Sequence, residues 1–202
     1  VILGALVAAV AVTLRRGAAP AAVRSLPPSD AITPTRARRL RWVLLAFMPS
    51  SLMLSVTMHL STNIAPMPWL WVLPLSLYLV TFIVAFALPA ARVLPLVSRA
   101  LPFALVPVMV AILADVSRPV WVIVALHVLS FTIVALQSHL TLAAEAPGSR
   151  HLTEFYILLS VGGALGGVFN ALVAPALFTS VLEYPLLLVL AAFTLTVDRD
   201  EA

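Results

Sequence analysis

Residues 152–178 read LTEFYILLSVGGALGGVFNALVAPALF, an apolar run with two glycine pairs at its centre, Gly162-Gly163 and Gly166-Gly167. A dinucleotide-binding turn requires G-x-G-x-x-G between a strand and a helix. Here the order is Gly-Gly-Ala-Leu-Gly-Gly, and nothing separates the first pair. Leu158 and Leu159 before it, and Val168 and Phe169 after it, continue a helix rather than open a loop. The spacing instead gives two overlapping G-x-x-x-G pairs, Gly162/Gly166 and Gly163/Gly167. Lipid offers helices no hydrophobic reason to associate, so small residues that let backbones approach do that work. Tyr156, Ser160, Gly163, Gly167, Asn170 and Ala174 share one face at helical spacing. The expectation is a packing seam on a membrane-spanning helix, with all four glycines as close-approach positions.

Composition agrees with that setting. The chain is 62% hydrophobic and 10% charged, against roughly 25% charged residues in a soluble domain. Its apolar runs are continuous, not alternating, which argues against a transmembrane β-barrel. The expected class is all-α: a polytopic transmembrane helical bundle of about six to seven spans, given that a crossing takes about 20 residues. There are no cysteines, so disulfides, thiolate catalysis and cysteine metal sites are excluded. All 12 basic residues are arginine. Beside membrane spans, arginines set topology, and nucleic acid is not an expected partner. The lipid bilayer is.

Seven apolar segments are expected: Val1–Leu14, Trp42–Leu60, Trp69–Leu88, Leu101–Ala114, Val120–Leu142, Phe155–Phe178 and Tyr184–Val197. The first reads as part of a span. The fourth is short unless it begins near Val93, in which case Arg99 must snorkel to the interface. Residues 15–41, rich in arginine and proline, read as a linker; 42–197 is the transmembrane domain, and 198–202 starts a tail. Seven arginines in 15–41 place that loop in the cytoplasm. Alternation then puts the loops of Arg92 and Arg99, the loop of Arg150 and the C-terminus on the same side. Only Arg118 falls outside. Both ends read as cuts in a longer protein.

Polar groups within spans are the functional candidates. His59, Thr62 and Asn63 cluster at an external helix end. His127, Ser130, Gln137, Ser138 and Thr141 fall within about 100° of arc. That seam either lines a cavity or forms interhelical hydrogen bonds. The candidate polar cavity is thus His59, Asn63, His127, Gln137 and Asn170. Near the spans, carboxylates are taken to be only Asp115, Glu154 and Glu183, all toward ends. No residues have the spacing of a metal site or of a nucleophile with its base. No catalytic residue and no cofactor is expected.

RWVLLAFMPSSLMLSVTMHLSTNIAPMPWLWVLPLSLYLVTFIVAF (residues 41–86), the glycine-bearing run and EYPLLLVLAAF (residues 183–193) together resemble the membrane region of bacterial spermidine-synthase-like proteins, the fused transporter/spermidine synthases. The resemblance covers about Arg41 to Phe193. It implies a multi-pass protein of the bacterial inner membrane, whose spans precede a cytosolic aminopropyltransferase-type domain of the same chain. None of that domain's residues lies in this sequence. The function implied is a membrane domain that anchors, and regulates or feeds, such a module. A polyamine-type solute transporter and a membrane scaffold are the alternatives.

Overall fold

A polypeptide in hydrocarbon must satisfy its backbone internally, and continuous apolar runs do so as helices. The computed structural model describes residues 33–64, 69–178 and 183–196, all but Thr33 within the unit Pro34–Ala202. The described residues are helical, with no strand among them. We number the main helices α1 (Arg36–His59), α2 (Trp69–Ala87), α3 (Ala90–Leu113), α4 (Val120–Ala144), α5 (Leu152–Val168) and α6 (Glu183–Thr196). α1 and α5 each run into a π-helical turn, Leu60–Ile64 and Phe169–Val173 respectively, and the latter is followed by the short α turn Ala174–Leu177.

Five helical stretches are long and apolar enough to cross a membrane: Arg36–Thr62, Trp69–Ala87, Ala90–Leu113, Val120–Ala144 and Ser149–Leu177. The protein is an all-α membrane bundle. The sixth described apolar stretch, Glu183–Phe193, is shorter, so the described residues hold five full-length spans rather than six or seven. The apolar run at residues 1–14 and the tail at 198–202 lie outside the described residues.

Two boundaries differ from the expected ones, both because arginine does not end a membrane helix. α1 starts at Arg36, not Trp42, with Thr35 as its N-cap. The Thr35 hydroxyl accepts the amide of Arg38 at 3.3 Å, the usual service of a threonine at this position. Four arginines therefore stand on the first two turns of α1 rather than in a linker. α3 starts at Ala90 and carries Arg99 and three prolines, Pro95, Pro102 and Pro107. It is a full span, where the sequence suggested a short one.

Helix directions follow from the side chains that meet. Trp42 packs on Phe155, with ring centroids 5.0 Å apart, and Ser55 meets Asn170, so α1 and α5 run parallel. Trp69 stacks on Trp121 and Thr81 meets His139, so α2 and α4 also run parallel. α1 and α4 are antiparallel, since Arg38 reaches Glu145 while His59 reaches His127. This is the up-and-down alternation of a chain that crosses a bilayer at each helix. One end of the bundle gathers Arg36, Arg38, Arg39, Arg41, Arg92 and Arg150; the other holds His59, Trp69, Trp121 and Glu183.

The closest helix pair is α1 against α5, and glycine is the reason. A Cβ on Gly162 would lie 2.9 Å from Ala46 Cβ and still closer to the carbonyl oxygen of Val43; one on Gly166 would lie 2.8 Å from the carbonyl oxygen of Phe47. At Gly163 and Gly167 an added Cβ would meet nothing within 4 Å. The four-glycine seam is thus corrected to two. The buried face of α5 is Phe155, Leu159, Gly162 and Gly166, about 100° around the helix from the face of Ser160, Gly163 and Gly167.

Candidate functional site

The π turns at the ends of α1 and α5 lie side by side, at the end of the bundle away from the arginine cluster. A π turn inserts one residue into the α ladder, breaking its regular hydrogen bonding and bending the helix. Residues of both turns line one space between the two helices. A cavity of about 500 Å³ opens there. α1 and its π turn contribute Leu54, Thr57, Met58, Ser61 and Thr62; the π turn after α5 and the residues beyond it contribute Asn170, Ala174, Pro175 and Phe178. Trp71 of α2 and Glu183 of α6 complete the wall. The size lies within the ~300–1,000 Å³ range of small-molecule sites.

The polar groups of this wall divide into spent and available ones. Asn170 is spent. Its Nδ2 donates to Ser51 Oγ at 2.6 Å, to the Ser51 carbonyl at 3.0 Å and to the Gly166 carbonyl at 3.1 Å. Its Oδ1 accepts Ser55 Oγ at 2.6 Å. Thr57 donates to the carbonyl of Met53 at 2.7 Å. Ser61 is available: its Oγ is buried with no hydrogen-bond partner. Glu183 is the single charged residue of the wall among the described residues. It is only 9% exposed, and no hydrogen bond or ion pair to it is seen among the described residues.

Of the polar residues expected to line a cavity, Asn170 lies in this wall and His59, His127 and Gln137 do not. Asn63 belongs to the π turn of α1, but its side chain lies outside the described residues. His59 and His127 are nevertheless brought together, with ring centroids 4.8 Å apart. The third member is Tyr184, whose hydroxyl shares a 2.8 Å hydrogen bond with His127 Nδ1. Tyr184 is fully buried and adjoins Glu183, so α6 turns its carboxylate to the cavity and its phenol to the histidines. Nothing local flagged Tyr184; its partner lies 57 residues away.

The α4 seam is chiefly hydrogen-bonded to backbone. Ser130 donates to the carbonyls of Ala104 and Leu126, Ser138 to that of Val134, and Thr141 to that of Gln137. Gln137 is buried beside them. His139 is buried too, with Nδ1 3.1 Å from Thr81 Oγ1 and the rings of Tyr78 and Phe82 edge-on to it.

A second polar cluster sits at the arginine end and corrects the carboxylate inventory: Glu145, immediately after α4, also lies against the spans. Its Oε2 accepts the indole Nε1 of Trp42 at 3.1 Å, its Oε1 pairs with Arg41 Nε at 2.8 Å, and its carbonyl accepts Arg38 Nη2 at 2.9 Å. Glu154 pairs with Arg39 at 2.6 Å. These contacts clasp the start of α1 to the α4–α5 connection. The described residues hold no group of three or more His, Asp or Glu side chains arranged to hold a metal ion.

No protein-family model, curated protein or solved structure matches the chain. The site's own geometry is the ground for a functional reading.

Proposed function

We propose that this chain is a membrane domain that binds a small organic solute in the cavity between the α1 and α5 π turns, on behalf of a cytosolic module of the same protein. The observation that carries the reading is a cavity of about 500 Å³ whose wall holds a nearly buried carboxylate. A carboxylate largely withdrawn from water is costly, and a lipid anchor has no use for one lining an open space. The resemblance of residues 41–86, 152–178 and 183–193 to spermidine-synthase-like proteins supports an aminopropyltransferase-like module as the partner, with the domain in a bacterial inner membrane. The arginine bias supports a cytoplasmic arginine end, which turns the cavity to the outside.

Binding is favoured over passage across the membrane. Toward the arginine end, hydrogen bonds tie the lining residue Asn170 to Ser51 and Ser55 of α1. Trp42, Leu142 and Phe155 beyond them are fully buried. Transport would require this packed half to open.

The test is protection of an introduced thiol. In the full-length protein in lipid nanodiscs, Thr57→Cys should react with a small thiol reagent, and millimolar organic solutes should slow that reaction. If no solute, neutral or charged, protects the thiol, the solute-site reading is wrong and an anchor or scaffold role replaces it.

A further inference from the structure

The solute chemistry can be narrowed from the wall of the cavity, and this step rests on the solute-site reading above. We infer that the cavity takes an amphiphilic primary monoammonium compound, with its one ammonium on Glu183 and Ser61 and its hydrocarbon body along α1 and the chain after α5.

The inference begins with charge. Glu183 is nine-tenths buried, lines the cavity and has no cationic partner among the described residues. A desolvated carboxylate is stabilised by an opposite charge brought to it. A ligand cation meets that need; an anion would be repelled, and a neutral solute would leave the carboxylate unpaired.

The number and kind of acceptors then choose the head group. A primary ammonium has three N–H donors and no acceptor. Ser61 Oγ, buried without a partner, is an acceptor on the same wall. Asn170, which could have offered a donor to an anion, has its amide committed to Ser51 and Gly166. The Glu183 carboxylate only accepts hydrogen bonds, while the Ser61 hydroxyl can accept or donate, so the ligand must bring a donor to Glu183.

The rest of the wall sets the body. Leu54, Met58, Ala174 and Pro175 present hydrocarbon, and Trp71 and Phe178 add aromatic rings. Among the described residues no second carboxylate lines this space. A diamine or triamine would have to set a further ammonium against apolar side chains without a counter-charge, which is unfavourable. A single ammonium followed by an apolar chain or ring satisfies both parts, and the rings favour a cation nearby.

The experiment compares four probes on the full-length protein in nanodiscs, each corrected for partition into empty nanodiscs: n-hexylamine, 1-hexanol, putrescine and spermidine. Hexylamine should bind about tenfold or more tighter than hexanol, the range of a charge-assisted hydrogen bond, and tighter than either polyamine. Glu183→Gln should erase the preference for amine over alcohol, and Ser61→Ala should weaken hexylamine severalfold. Glu183→Asp, which keeps the charge and retracts it, should retain part of the preference and guards against a Gln variant that does not fold. Equal binding of hexanol and hexylamine overturns the ammonium assignment while leaving a solute site. Tighter binding of putrescine or spermidine overturns the monoammonium class in the same way. Failure of all four probes overturns both the inference and the reading it rests on.

Discussion

Asn170 Oδ1 accepts a 2.6 Å hydrogen bond from Ser55 Oγ, joining two parallel helices across 115 residues of chain. The bond forms at the level where α5 gives way to its π turn, and the same carboxamide donates to Ser51. Together they hold the lining residue Asn170 against α1. Interhelical hydrogen bonds in membranes average about 0.6 kcal/mol and reach about 1.7. Ser55→Ala should therefore cost about 0.6 kcal/mol. Asn170→Leu removes several bonds and strands two serines, and should cost about 1–2 kcal/mol on the same scale. Reversible unfolding in mixed micelles measures both; an Asn170→Leu protein as stable as wild type would refute this joint.

The glycines give a sharper contrast. Gly162→Ala would push a methyl into the Val43 carbonyl and Ala46, and overpacking of that kind costs about 1–3 kcal/mol. Gly163→Ala meets nothing within 4 Å and gains up to about 1 kcal/mol from the better helix propensity of alanine. Neighbouring positions with the same substitution should thus shift thermal stability in opposite directions. Equal losses at both would mean that α5 is rotated from the face described here.

This pair also marks how far sequence could reach. That residues 152–178 form a close-packing membrane helix was legible, because the bilayer demands a long apolar run and glycine signals close approach. Which glycines meet the partner was not, since the choice turns on a rotation of about 100° fixed by α1. Asn170 was legible as a costly polar group in a span, and it does line the cavity. Glu183 was noted only as a carboxylate toward the end of a span. Glu145, between two alanines in a connecting segment, looked solvated until Arg38, Arg41 and Trp42 arrived from 103 or more residues away. The starts of α1 and α3 were hidden by arginines whose stems lie along the helix while the head groups reach water.

Glu145 supports a prediction of its own. Glu145→Ala takes the acceptor from Trp42 Nε1 and the carboxylate from Arg41, and Trp42 is fully buried. An indole N–H left without an acceptor costs about 1–3 kcal/mol. Arg39→Ala, which breaks an ion pair whose side chains are 39% and 36% exposed, should cost no more than about 1 kcal/mol. Stability of the two variants in the same detergent tests the ranking. A larger loss at Arg39 would mean that the clasp depends on Glu154 rather than on Glu145.

The orientation is open to a direct test, because these 202 residues hold no cysteine and a thiol introduced among them is the one thiol they carry. Ser117 and Ser149 are both exposed and stand in connections at opposite ends of α4. Serine to cysteine is a small change at either place. Eleven of the 12 arginines belong to the segments expected inside, and arginine near span ends is retained in the cytoplasm. Ser117→Cys should react with a membrane-impermeant maleimide on intact cells stripped of their outer barrier, whereas Ser149→Cys should react only after the membrane is opened. The reverse pattern would turn the bundle over. The cavity at Glu183 would then face the cytoplasm, and the arginine end would lie outside against the topology rule. Labelling of both positions from outside would break the up-and-down alternation of α4.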